Sequence, residues 1–112
     1  MFGSKEKQIE KLIKKGKWEI ISKKYLNGDN ETRLLLAIEC GKSSDPGVNS
    51  ILTTLIRDKD PKIQMETVKS LSKTGRDHEV AQLQWLLSQV PEDNNEFREE
   101  IQHAIASCRG KR

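Results

Sequence analysis

The thiol and imidazole side chains, which serve most readily as metal ligands or reactive groups, are four in this chain: Cys40, His78, His103 and Cys108. Their spacing argues against both uses. The two cysteines match no metal or redox motif, and neither histidine has a cysteine near it in sequence. His78 falls in a polar loop between Asp77 and Glu79, and His103 on the acidic, exposed side of a helix, so both are expected to be solvated. Cys108 shares a helical face with Phe97, Ile101, Ala104 and Ile105, which predicts a buried thiol, and Cys40 sits in the most apolar helix of the chain. The adjacent carboxylates Glu99 and Glu100 have no pocket to raise a pKa. A phosphate-binding glycine loop, a nucleophile elbow, an HExxH and a CxxC are all missing from the sequence. The expectation is a protein without catalytic residues, cofactor or metal, and not an enzyme.

Two features could instead serve binding. In the stretch from 78 to 89 the apolar face centres on Val80, Leu83 and Leu87. Trp85 lies about 190° from it at 100° per residue. An aromatic on the polar side of a helix is an exposed contact anchor, or it covers an open end, or it mediates self-association. Trp18, by contrast, shares the core face of its own helix. The second feature is charge. Residues 1–26 hold eight Lys against three Glu, whereas residues 27–112 hold twelve basic and fourteen acidic residues. Lys5, Lys7, Lys11, Lys14, Lys15, Lys17, Lys23 and Lys24 crowd the N-terminal part, and Arg109, Lys111 and Arg112 the other end. Nucleic-acid binding through phosphate contacts is therefore an alternative function, and it would weaken steeply with salt. Lysines scattered around a helix also serve solubility, with a solvated surface and a frayed basic tail.

These residues must be positioned by helices. Only 34% of the residues are hydrophobic and 4% aromatic, which suits a thin helical core. The segments 29–41, 60–75 and 94–108 repeat one pattern at offsets of 31 and 34 residues. Thr32, Ile63 and Phe97 are its anchors, and Asp29, Asp60 and Asn94 precede them as N-caps. Pro61 takes the first helical position, where a missing N–H costs nothing. Leu36, Thr67 and Ile101 correspond, as do Cys40, Leu71 and Ile105. Gly41 and Gly75 are expected to stop their helices.

A second helix follows each of the first two. Asp45 and Pro46 start one, with Val48, Ile51, Leu52, Leu55 and Ile56 on its face. Asp77 caps the other, with Val80, Leu83, Leu87 and Val90. The same offset run backwards reaches Ile21 and Tyr25, which share a side with Trp18; before them Ile9, Leu12 and Ile13 share a face that Gly16 ends. Seven helices are predicted, at 5–15, 17–26, 31–41, 47–57, 62–74, 78–89 and 96–108. A single pair cannot bury both its apolar sides, so stacked neighbours must.

"DKDPKIQMETVKSLSKTG", residues 58–75, resembles the first helix of a HEAT-like repeat, of the short kind also found in phycobilisome-lyase-type proteins. The resemblance covers residues 29–108, and the first 28 only through the offset. Arg33 and Arg98 match the Arg usual after the anchor and Gln64 does not. Leu36, Thr67 and Ile101 replace the usual alanines. The signatures of tetratricopeptide and ankyrin units are missing. The resemblance implies an all-α fold, a right-handed α-solenoid of about three stacked antiparallel helix pairs plus a terminal helix. It would form a single domain over 1–112: a basic helix pair at 1–28, repeats at 29–57 and 58–90, a capping helix at 91–108 and a basic tail at 109–112. It also implies that the second helices line a concave side where a protein partner docks, placing Trp85, Gln82, Thr54, Thr53, Arg57 and Lys23 there. The expected function is a protein–protein interaction module or scaffold. A lyase-type accessory subunit is the less favoured reading that the family allows. No run of about 18 apolar residues exists, and the basic start lacks the apolar core of a signal peptide, so the expected location is cytoplasmic.

Overall fold

The computed structural model describes residues 2–112, with side chains from Lys5 onward, so the first residues of the basic N-terminal pair lie outside the described side chains. Its α-helices are α1 (Phe2–Lys14), α2 (Trp18–Tyr25), α3 (Asn30–Cys40), α4 (Val48–Leu55), α5 (Pro61–Thr74), α6 (Val80–Gln89) and α7 (Asn95–Cys108). One 3-10 turn, Asp77–Glu79, precedes α6, and no strand occurs among the described residues. All seven expected helices are present. The first helices α1, α3, α5 and α7 pack side by side in that order, and α2 and α4 pack beside one another as a second layer. The stack measures 39 × 29 × 19 Å. This is the expected α-solenoid. No helix is long and apolar enough to cross a membrane among the described residues.

The caps form as the residue types dictate. The Asp29 carboxylate accepts from the backbone N–H of its anchor Thr32 at 2.9 Å, and Asp60 from Lys62 at 2.9 Å. Asn94 accepts from Phe97 at a longer 3.5 Å. The Thr32 bonds hold the Asp29 carboxyl below its ordinary range. Apolar positions then enter one continuous core, in which Ile9, Ile21, Leu36, Leu52, Ile56, Ile63, Leu71, Leu83 and Ile101 are wholly excluded from solvent.

The residue after each anchor performs one task in all three repeats. Arg33 donates to the Gly28 carbonyl at 2.7 Å, just beyond the end of α2. Gln64 donates to the Ile56 carbonyl at 3.0 Å, at the end of α4. Arg98 donates to the Leu87 and Val90 carbonyls at 3.2 and 3.0 Å, at the end of α6. Each satisfies carbonyls that a helix C-terminus leaves free. Gln64 thus departs from the Arg pattern in residue type and keeps the bond. Arg33 also pairs with Asp58, at 2.7 and 3.2 Å, and Asn30 donates to Asp60 at 2.8 Å, linking successive repeats along one edge.

Several local expectations need correction. Gly41 and Gly75 end their helices with φ of −68° and −69°, so a left-handed stop is not the reason for either glycine. The reason is close approach. Ser70 of α5 lies over Gly41 and donates to the Ala37 carbonyl, while Cys108 of α7 lies over Gly75 and donates to the Leu71 carbonyl. Asp77 does not cap α6, because its carboxylate is engaged elsewhere; Glu79 instead accepts from the Arg76 N–H at 2.8 Å and is buried, not part of a polar loop. α4 begins at Val48, and Asp45 accepts from the Gly47 N–H at 2.8 Å one turn earlier. α6 leans onto α7, so Leu83, Leu86 and Val90 are buried while Val80 and Leu87 are only half-covered.

Two outcomes test this packing. Gly75→Ala would place a methyl 2.5 Å from Cys108 Sγ and 2.6 Å from the Leu71 carbonyl oxygen. We expect a loss of about 1–3 kcal/mol in urea unfolding, the range for overpacking. The second concerns Asp58. Burial alone would raise its carboxyl, but the Arg33 bond and backbone N–H groups outweigh that and hold it below the usual range. A carboxyl depressed in the folded state stabilises above its unfolded value and loses that contribution as pH falls through the folded one. Stability should therefore decline below about pH 4, and Asp58→Asn should flatten that acid limb in pH-dependent denaturation.

Candidate partner-binding surface

α6 carries Gln82 and Trp85 one helical turn apart, with Gln82 half-buried at the flank of the face formed by Leu83 and Leu86 and Trp85 turned further towards solvent. Arg57 follows α4 in the preceding repeat. Its guanidinium lies 4.1 Å from the centre of the Trp85 ring, and its Nη2 donates to Gln82 Oε1 at 3.4 Å. Cation–π stacking at such a site contributes about 0.5–1 kcal/mol. It favours the indole orientation that faces Arg57 while leaving the ring 36% exposed. Trp85, Gln82 and Arg57 are thus brought together as a cluster joining two repeats.

The other residues expected on this surface behave differently. Thr53 and Thr54 both turn their hydroxyls back to the Ser50 carbonyl, at 3.0 and 3.1 Å, with Thr54 exposed and Thr53 half-buried. Lys23 lies on α2, ion-paired with Glu19 at 3.0 Å. It lines a separate depression of about 520 Å³ with Trp18 and Ile20. Trp18 is half-buried against the core, its indole filling the space beside Gly47.

Ile20, 48% exposed, was not singled out by the periodicity. The 31-residue offset gives no signal for it, since Ile20 maps onto the buried Ile51 and the half-buried Gln82. Ile20 and Trp85 are the large apolar side chains exposed among those described, and both lie on second helices.

The eight N-terminal lysines divide. Lys5 donates to Thr32 Oγ1 at 2.9 Å, tying α1 to α3. Lys14 pairs with Glu10 at 3.7 Å, and Lys24 lies 5.5 Å from the Tyr25 ring centre. Lys7, Lys11, Lys15 and Lys17 are exposed. Lys7, Lys11 and Lys14 of α1 and Lys15 of the turn after it fall at i, i+4, i+7 and i+8, on one exposed side opposite the buried Ile9 and Ile13, while Lys5 lies on the α3 side.

The nucleophile candidates are packing groups. Cys40 and Cys108 are free and buried. Burial pushes the Cys40 thiol up to about 12, with the Glu39 charge adding to it. Burial likewise raises Cys108, against a smaller opposing effect of Lys111. His78 and His103 are exposed, and His78 stands 3.6 Å from Glu79. Glu39, within the apolar α3, is buried and held by Lys42 at 2.8 Å. Every buried side-chain nitrogen or oxygen among the described residues has a hydrogen-bond partner.

A family model described as HEAT repeats matches residues 23–106. No curated protein and no solved structure matches the chain. The matched stretch begins within α2 and ends within α7, and so contains Trp85, Arg57 and Gln82.

Thiol chemistry offers a direct check. With both thiols held protonated, a thiol reagent at pH 8 should label neither cysteine in the folded protein and both in urea.

Proposed function

Because the chain belongs to the HEAT-repeat family, we propose that it is a non-catalytic protein-interaction module whose contact surface is the layer of second helices, anchored at Trp85. HEAT repeats commonly serve protein–protein interaction. The observation that carries the reading to particular residues is the Trp85–Arg57 stack, exposed and shared by two repeats. Trp and Arg are the residue types most enriched among those that dominate binding energy. An indole already held by its neighbour loses little freedom when a partner covers it. In this reading Ile20 and Lys23 extend the surface at the α2 end, and Thr53 and Thr54 contribute polar groups from α4. A cytoplasmic setting belongs to this reading, supported by two thiols kept free and buried. So does weak self-association past α6, where Val80 and Leu87 are half-covered.

The second reading, nucleic-acid binding, is favoured by the row formed by Lys7, Lys11 and Lys14 on α1 and Lys15 just after it. Salt separates the two, because phosphate contacts release counterions and a desolvated aromatic contact does not.

Capture of proteins from a lysate by the wild type and by Trp85→Ala, at low and moderate salt, tests the proposal. Partners should be retained by the wild type at both salts and lost by the variant, since truncating such an anchor costs about 2 kcal/mol or more. Urea unfolding of Trp85→Ala should change by less than about 1 kcal/mol, which removes misfolding as the cause. Retention that ignores Trp85 and disappears with salt would sink the proposal in favour of the lysine row.

A further inference from the structure

A pocket of about 420 Å³ opens where the α3–α4 loop, the C-terminal turn of α5 and the segment after α7 meet. Lys73, Arg76, Lys111 and Arg112 line it, with Ser43 and Ser44 from the loop; no Asp or Glu does. It shares no residue with the Trp85 surface.

The four cations are delivered there by specific backbone structure. Gly110 has φ +84°, a left-handed turn that bends the chain back after α7. Its N–H donates to the Asp77 carboxylate at 2.8 Å, and the Asp77 N–H donates to the Lys111 carbonyl at 2.8 Å. Arg76 Nη1 reaches the Arg112 carbonyl. The basic segment 109–112 is therefore pinned, where a frayed tail was expected.

Pinning it places two further positive side chains beside Lys73 and Arg76, which repel them. The acidic side chain that takes part, Asp77, is occupied by the Gly110 N–H. A folded arrangement that gathers like charges around a cavity focuses a positive potential into it. Neutral donors complete the lining. Ser43 Oγ accepts from the Asp45 N–H at 3.0 Å, so its own proton remains free to donate.

We propose that this pocket binds a multiply charged, phosphate-bearing anion, with Lys73, Lys111 and Arg112 supplying charge, Arg76 both charge and tail anchorage, and the two serines supplying hydroxyl donors. The volume lies within the range of small-ligand sites, roughly 300–1,000 Å³. A free polyphosphate and a phosphorylated lipid headgroup share this chemistry.

Titration calorimetry with inorganic tripolyphosphate, at low ionic strength where screening is weak, is the test. The double variant Lys73→Gln/Lys111→Gln should bind at least about tenfold more weakly, as two removed phosphate contacts imply. Lys7→Gln/Lys11→Gln, the same charge change on α1, should stay within about twofold of the wild type. Gly110→Ala meets no neighbouring atom within 4 Å but cannot easily hold the left-handed turn, so it should weaken binding without touching a cation. Vesicles of phosphatidylcholine with a phosphoinositide distinguish the source. Tripolyphosphate binding without vesicle pelleting assigns a free anion, and pelleting that tripolyphosphate displaces assigns a headgroup. No binding of either probe, or equal weakening by the pocket and α1 double variants, overturns the site.

Discussion

Every helix that ends in a tight linker leaves carbonyls without a partner, and in a stack of short helices those ends recur every few residues. The structure meets that demand with a single side chain per repeat. Arg33, Gln64 and Arg98 each stand in the first turn of a first helix and reach back to the carbonyls that close the second helix before it. The bond fixes how a second helix is set against the next first helix. In that setting the apolar faces of Ile21, Leu52 and Leu83 meet those of Leu36, Leu71 and Ile101 in one core. A part-buried hydrogen bond of this kind contributes about 1 kcal/mol; the burial that it aligns contributes more in sum, about 25 cal/mol per Å² of apolar surface.

The close side-by-side packing of α3, α5 and α7 follows from a second constraint at the opposite edge. There the helix before each turn ends in a glycine because the next helix lies on it, Ser70 over Gly41 and Cys108 over Gly75. Ser70 and Cys108 are then polar donors in a buried interface, and both find a carbonyl of the preceding helix. This explains why a thiol stands at position 108. It is small enough for the contact, donates weakly, and is kept protonated by burial. The reactivity that makes cysteine useful elsewhere is suppressed by the packing that selects it here.

Helix number, caps and apolar faces were legible because they are local: a cap and its anchor lie three residues apart, and a face repeats every 3.6. Trp85 was legible as exposed for the same reason. Its pairing with Arg57 was not fixed by any period within one helix, since it depends on how two repeats stack. Three features were hidden for a related reason. Glu39 reads as a stray charge in an apolar helix, and only Lys42, one turn on, makes its burial tolerable. Glu79 reads as part of a polar loop, yet the turn folds it onto the Arg76 N–H. The basic segment 109–112 reads as frayed because its partner, Asp77, lies more than thirty residues away. Each of these polar groups is placed by a contact and not by a pattern.

The two candidate surfaces differ in how the fold holds them. Trp85 and Arg57 stabilise each other, so their cluster would persist without a ligand. Lys73, Arg76, Lys111 and Arg112 repel, and two bonds hold the segment after α7 beside them, from the Gly110 N–H to the Asp77 carboxylate and from the Asp77 N–H to the Lys111 carbonyl. A self-satisfied cluster suits a protein partner that buries it with little rearrangement. A strained cluster gains most from a counter-charge, because binding removes repulsion that folding has already incurred. Anything bound there would also stabilise the chain itself, since it would favour the folded state in which the cations converge. The pocket couples α5, the turn before α6 and the segment after α7. An anion seated in it would therefore tighten the end of the stack that carries Trp85, without touching the indole.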